Sequence, residues 1–300
     1  MKVRFWGVRG NVVMPGPYTI KYGGNTPCIE IRGDDNELLI IDAGTGLREL
    51  GLYLTQNDFQ QGPIDAKILL THTHWDHMQG FPFFAPVIFI PQNKITFYGP
   101  VDEDDSLEDV IGGQMNYSYF PVKLDELKAM IKFRNLVPGE FNIGEFKIKS
   151  RYLNHQVLTF SYKIEYRGKV ITTVFDHEPY GFERYIDGTL SDIEKDKIKE
   201  NAVIKKDELI DFISGSDLII HDAMYTRDDY FEKKVGWGHS YFEYAVENAV
   251  ASKTKMLALF HHEYEDEKMD KCEKSAKNYA KSLDNNLVVF AAREKLEITI

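Results

Sequence analysis

Apolar residues in this chain gather into short runs separated by glycine, proline, asparagine and aspartate. Runs at 2–7, 27–32, 37–42, 66–70, 87–90 and 95–98 predict strands in the first part of the chain. Further strands are predicted at 130–134, 146–152, 157–165, 168–174, 218–220, 257–260, 287–292 and 296–300. The turn residues Gly33-Asp34-Asp35-Asn36 and Gly168 sit between neighbouring runs, as hairpin turns require. Helical periodicity is predicted over 46–55, over 191–215 in two parts, over 240–252 with Ser240 as its cap, and over 267–283. A short helix starts after His77, and Pro82 and Pro86 limit its length. Two strand-rich halves with helices after 42, 77, 239 and 266 predict an α/β fold of two packed sheets with helices outside. The absence of a proline-rich linker or low-complexity stretch predicts a single domain over 1–300, with a substrate-shaping insertion at about 101–130.

Composition narrows the picture. The formal charge of −11 argues against a protein held to nucleic acid by backbone electrostatics alone, although a local basic patch would survive it. The acidic run at 101–109 would repel a polyanion that approached it. Cys28 and Cys272 make neither a disulfide framework nor a cysteine metal site, which suits a reducing cytoplasm. Met1-Lys2-Val3-Arg4-Phe5-Trp6 reads as a strand rather than an export signal, and no apolar run reaches membrane-spanning length.

The chemistry concentrates in Thr71-His72-Thr73-His74-Trp75-Asp76-His77. His72 and His74 lie two apart at a strand end, so alternation can aim both imidazoles to one side. Asp76 and His77 follow as the chain turns. Imidazole and carboxylate donors without cysteine suit zinc, manganese or iron and do not by themselves separate them; zinc is the first expectation. One such stretch cannot complete two metal shells. His155, between two strands, is the third ligand expected beside His72 and His74. Asp176, at the end of another strand, is placed to bridge two cations. Asp76 and His77 then need one more imidazole, from His261 or His262, with His261 preferred because it is nearer the strand end. Two bridged divalent metal ions about 3.5–4 Å apart would activate a shared hydroxide. His239 precedes a helix and can protonate a leaving oxygen, with Asp222 fixing its tautomer; a helix-entry hydrogen bond is the plainer role. Asp76, His239 and Asp222 form the expected catalytic set. His177 and His221 are expected in supporting roles. Asp42 is either a brace for the metal loop or a helix cap. Gly44 and Gly46 make a tight turn or an anion nest. The aromatics at 81–84 and 117–120 either pack a core or wall a pocket.

The ordered set His72-x-His74-x-Asp76-His77, His155, Asp176 and His261 resembles the metallo-β-lactamase superfamily, over nearly the whole chain. That resemblance implies a four-layer αββα sandwich of two mostly antiparallel or mixed sheets. Phe5-Trp6-Gly7-Val8-Arg9-Gly10, Tyr22-Gly23-Gly24-Asn25-Thr26, Asp222 and Gly238-His239-Ser240 look like the phosphodiesterase branch, which includes tRNA 3′-processing endonucleases and cyclic phosphate phosphodiesterases. The Phe260-His261-His262 ending is similar to the cyclic-phosphodiesterase-like subgroup. Asp222 stands where the tRNA enzymes usually carry Glu, and no glycine- and lysine-rich arm is found. The expectation is therefore a phosphodiesterase acting on a small or cyclic phosphodiester, away from membranes, with a homodimer as the candidate assembly. A tRNA 3′-processing endoribonuclease is the alternative, and a thioester hydrolase of the same fold the next.

Overall fold

The computed structural model describes residues 1–102, 105–181, 191–283 and 286–300. Its chain forms two compact units, Met1–Ser150 with Ala292–Ile300, and Arg151–Ala291. The first unit runs β1 (Lys2–Gly7), β2 (Cys28–Arg32), β3 (Leu38–Ile41), α1 (Gly46–Asn57), β4 (Asp65–Leu69), α2 (Trp75–Met78), β5 (Lys94–Gly99), α3 (Leu107–Gly113), β6 (Met130–Asn135) and the hairpin β7 (Gly139–Ile143) and β8 (Phe146–Tyr152), whose last two residues begin the second unit. The second runs β9 (Phe160–Tyr166), β10 (Lys169–Val174), α4 (Asp192–Ile213), β11 (Leu218–Asp222), α5 (Arg227–Asp229), α6 (Phe242–Ala251), β12 (Met256–Phe260), α7 (Asp266–Ser282) and β13 (Val288–Ala291). The chain then returns to the first unit as β14 (Glu297–Thr299).

Among the described residues the strands make two seven-stranded sheets, ordered β14-β1-β2-β3-β4-β5-β6 and β13-β12-β11-β10-β9-β8-β7. Both are mixed: β1, β2 and β3 pair antiparallel, whereas β3, β4, β5 and β6 pair parallel. In the second, β9 and β10 are antiparallel and β10, β11, β12 and β13 parallel. The parallel strands explain the continuous apolar runs. Leu38-Leu39-Ile40-Ile41 is buried throughout, as a strand covered on both faces must be. By contrast Phe146-Lys147-Ile148-Lys149-Ser150 alternates buried and exposed. Helix α1 packs Leu47, Leu50 and Leu54 into the core of the first unit, at the spacing one helical face demands. Helix α7 buries Met269, Cys272, Ala276 and Ala280 on one face.

Several local expectations change. Residues 87–90 are not a strand: Val87–Phe89 form a 3-10 turn entered from Pro86, and the Asn93 amide donates to the Val87 carbonyl at 3.0 Å. Residues 192–213 form one helix rather than two, since no proline or glycine interrupts them. Strand β7 was not predicted, because its mostly exposed residues give no apolar alternation. Ser240 does not cap α6: Tyr241 holds that position, and the Ser240 hydroxyl donates to the His177 carbonyl. Phe81 and Phe84 are fully buried core residues, whereas Tyr117 and Tyr119 are exposed. Of the acidic run at 101–109, Glu103 and Asp104 lie outside the described residues.

Candidate metal centre

In the first unit the histidine stretch is fixed by two neighbouring parallel strands. Ile41 pairs with Leu69, so Asp42 and Thr71 emerge side by side at the carboxyl ends of β3 and β4. Asp42 adopts φ 60°, an uncommon conformation for a side chain with a Cβ. Its Oδ1 accepts from the Thr71 N–H at 2.7 Å, and its Oδ2 lies 2.7 Å from His77 Nδ1. Asp42 is thus a brace for the histidine stretch, while Thr45 occupies the helix N-cap. Complete burial pushes the Asp42 carboxyl up, opposed by His77 and Thr71. With Nδ1 held, His77 offers Nε2 as its donor nitrogen, 3.4 Å from Asp76 Oδ2. His74 is the N-cap of α2, which carries Asp76 and His77 in its single turn. The His72 ring lies 4.7 Å from that of His74 and 4.2 Å from that of His77, centroid to centroid. Gly44 lets the loop close: a Cβ there would stand 2.4 Å from the Asp76 carbonyl oxygen. The glycine pair therefore serves close packing.

In the second unit the candidate residues come from the ends of three adjacent parallel strands. Val174 pairs with His221 and Asp222 with Phe260, so Asp222 ends β11 while Asp176 and His261 follow β10 and β12 at the same edge. Open α/β sheets place their sites at such carboxyl ends. Asp176 and His261 both have positive φ, 42° and 64°. Ligand atoms of Asp176, His239 and His261 all lie within 4.8 Å of one another. The two Asp176 oxygens face different histidines, Oδ2 at 3.8 Å from His155 Nε2 and Oδ1 at 3.3 Å from His261 Nε2. His155 Nδ1 is 2.9 Å from the Gly238 carbonyl, which leaves Nε2 as the donor nitrogen.

His239 Nδ1 lies 3.0 Å from Asp222 Oδ2. Asp222 also accepts from three backbone N–H groups, those of His177, Met224 and Ser240, at 3.2, 3.1 and 3.3 Å. One buried carboxylate therefore ties three loops together and aims one imidazole. His177 and His221 stand behind this arrangement. Burial holds His177 well below the ordinary histidine range, and lowers His221 to about 4. His221 Nδ1 meets the Asp222 carbonyl at 2.7 Å and Nε2 meets the Asn248 amide at 3.1 Å, a neutral imidazole with both nitrogens engaged. His262 is fully buried beside His261.

Sequence reasoning missed Glu178. Its buried carboxylate accepts from the Tyr230 hydroxyl at 2.8 Å and from the Gly236 and Gly238 N–H groups. Burial pushes its carboxyl up, against those donors. Its position two residues after Asp176 was the only available signal.

Histidine and aspartate side chains thus gather after strand ends in each unit. All donors are imidazole nitrogen or carboxylate oxygen on buried or half-buried side chains, a set that fits divalent cations. The fold and these clusters define a metal-dependent hydrolase. The family described as "Metallo-beta-lactamase superfamily" matches residues 22–130. A Ribonuclease Z of Thermoplasma acidophilum is 25% identical over 252 residues, covering 76% of this chain and 78% of its own length. The crystal structure of human tRNase Z, short form, superimposes with TM-score 0.63 at 21% identity, over 100% of this chain and 99% of that one. Unliganded yeast PDE1 does so with TM-score 0.65 at 16% identity, over 100% and 99%. These structures share the αββα fold class expected from the sequence. No described helix is long and apolar enough to cross a membrane.

Proposed function

We propose that this chain is a metal-dependent phosphodiesterase that cuts RNA, in the manner the name Ribonuclease Z gives its relatives. The observation that carries the reading is the similarity to Ribonuclease Z over three quarters of the chain. It reverses the order expected from charge and the missing arm, which put a small or cyclic phosphodiester first. That second reading keeps one specific support, the net charge of −11.

In this reading His72, His74 and His155 would hold one cation, Asp76, His77 and His261 would hold the other, and Asp176 would serve both. The opposed directions of the Asp176 oxygens support that role. Zinc heads the candidates, with manganese or iron next. Bound divalent cations would supply an activated water and neutralise charge on the non-bridging phosphate oxygens. The chain's own part is orientation and proton transfer. Asp42 sets the His77 ring and the Gly238 carbonyl sets His155. Asp222 holds His239 by Nδ1, so Nε2 is the nitrogen that hands a proton to the departing oxygen. A cytoplasmic setting suits two free, buried cysteines.

The test is a matched kinetic panel on metal-loaded protein: a precursor tRNA with a 3′ trailer, 3′,5′- and 2′,3′-cyclic nucleotides, and a 1,2-cyclic ribose phosphate. Efficient trailer removal is expected. Turnover of the cyclic esters with an intact precursor would return the small-substrate reading to first place.

A further inference from the structure

Tyr230–Lys234 is a π-helical turn, followed by Val235-Gly236-Trp237-Gly238-His239. Trp237 is 54% exposed, although Gly236, Gly238 and His239 around it are buried. A large exposed aromatic between buried neighbours needs a cause, and Glu178 provides it. One carboxylate oxygen takes the Gly236 N–H and the other the Gly238 N–H, so the backbone on both sides of Trp237 is pinned inward. Gly236 and Gly238 sit at φ 83° and 86°, which glycine alone adopts without strain. The indole is held outward on a fixed mount.

Its surroundings are cationic and aromatic. Lys234 Nζ lies 3.9 Å from the Trp237 ring centroid and 5.3 Å from that of Tyr225. The Tyr225 ring in turn stands edge-on to His239, centroids 6.2 Å apart. Trp237, Lys234, Tyr225 and His239 therefore form a continuous series from an exposed indole to the proposed proton donor. Aromatic faces interleaved with a cation suit nucleic acid: the face stacks on a base and the ammonium meets a phosphate.

We propose that Trp237 is a stacking platform for a nucleobase of the substrate, held beside the reacting phosphodiester by the Glu178 clamp, with Lys234 facing the phosphate. This rests on the phosphodiesterase reading and narrows its substrates to nucleoside phosphodiesters. Glu178 is a positioning residue, since it acts through Gly236 and Gly238.

Two chromogenic phosphodiesters with the same leaving group separate stacking from chemistry: thymidine 5′-p-nitrophenyl phosphate, which carries a base, and methyl p-nitrophenyl phosphate, which does not. Trp237→Ala should raise KM for the nucleoside ester about tenfold, the scale of one lost base stack. It should leave kcat and both constants for the methyl ester within about twofold. Trp237→Phe should recover most of the loss. Equal effects on both esters, or no effect on either, would overturn the proposal. Should the wild type turn over neither ester, the precursor tRNA assay decides the phosphodiesterase reading, and calorimetry with the same two compounds decides the stacking. Tighter wild-type binding of the nucleoside ester, with the gap closed in Trp237→Ala, supports the platform; the absence of a gap rejects it.

Discussion

The two units supply similar donors by different routes. In the first, His72, His74, Asp76 and His77 arrive within one turn of chain after β4 and are steadied by a single buried carboxylate, Asp42. In the second, His155, Asp176, His239 and His261 are more than a hundred residues apart at their extremes; β10, β11 and β12, parallel and in register, bring Asp176 and His261 to one edge, where His155 and His239 arrive on loops. The first set is held by local geometry, the second by topology. Damage to the first should therefore stay local, whereas damage to the second should spread through every loop that meets at the strand ends.

The largest effect is expected at Asp176, the group proposed to serve both cations. Asp176→Ala should lower kcat/KM by about 10⁴-fold, since metal stabilisation of transition-state charge contributes several kcal/mol. Metal content measured by mass spectrometry should fall at the same time. Retention of both ions with normal turnover would dismiss the bridging role. Next comes His239→Ala, with a loss of about 10²–10³-fold and unchanged metal content, as removal of a proton donor predicts. The loss should shrink for a p-nitrophenolate leaving group, which needs little protonation. Metal loss in this variant would instead place His239 among the ligands, as its closeness to Asp176 and His261 would allow.

A pH effect separates the units further. The folded-state value of His221 is about 4, against an ordinary 6.5. The unfolded chain therefore binds the extra proton first as pH falls. His221 leaves stability undiminished above pH 6.5 and costs up to about 3 kcal/mol as pH drops from 6.5 towards 4. Thermal unfolding across that window should show a steeper decline for the wild type than for His221→Gln; parallel curves would contradict the assignment. The smallest effect belongs to the first unit. Asp42→Asn should weaken metal affinity about 10–100-fold through the freed His77 ring, read by competition with a chelating dye. An unchanged affinity would show that the loop holds His77 without its brace.

The same contrast explains what the sequence could reveal. Strand ends announced most candidate ligands, because continuous apolar runs such as Leu257-Ala258-Leu259-Phe260 stop where the polar chemistry begins. The histidine stretch was legible from spacing alone. The Asp222–His239 pair was legible as a candidate, but its three supporting N–H groups come from loops that only the folded strands bring together. Glu178 was invisible, since a lone glutamate carries no periodic signal and its donors lie more than fifty residues away. The left-handed backbones of Asp42, Asp176 and His261 were also beyond reach, for nothing in those residue types requires positive φ. Exposed β7 and the turn after Pro86 failed for the opposite reason: local pattern there competes with edge exposure and with side-chain bonds from Asn93.

The central claim is that this chain hydrolyses phosphodiesters with metal held by these clusters. The most direct measurement compares a chromogenic phosphodiester, a thioester and a β-lactam on one preparation, before chelation, after it, and after reloading with zinc or manganese. Turnover of the phosphodiester alone, lost on chelation and restored by reloading, is the predicted result. Activity confined to the thioester or the β-lactam, or phosphodiester cleavage indifferent to chelation, would contradict the account.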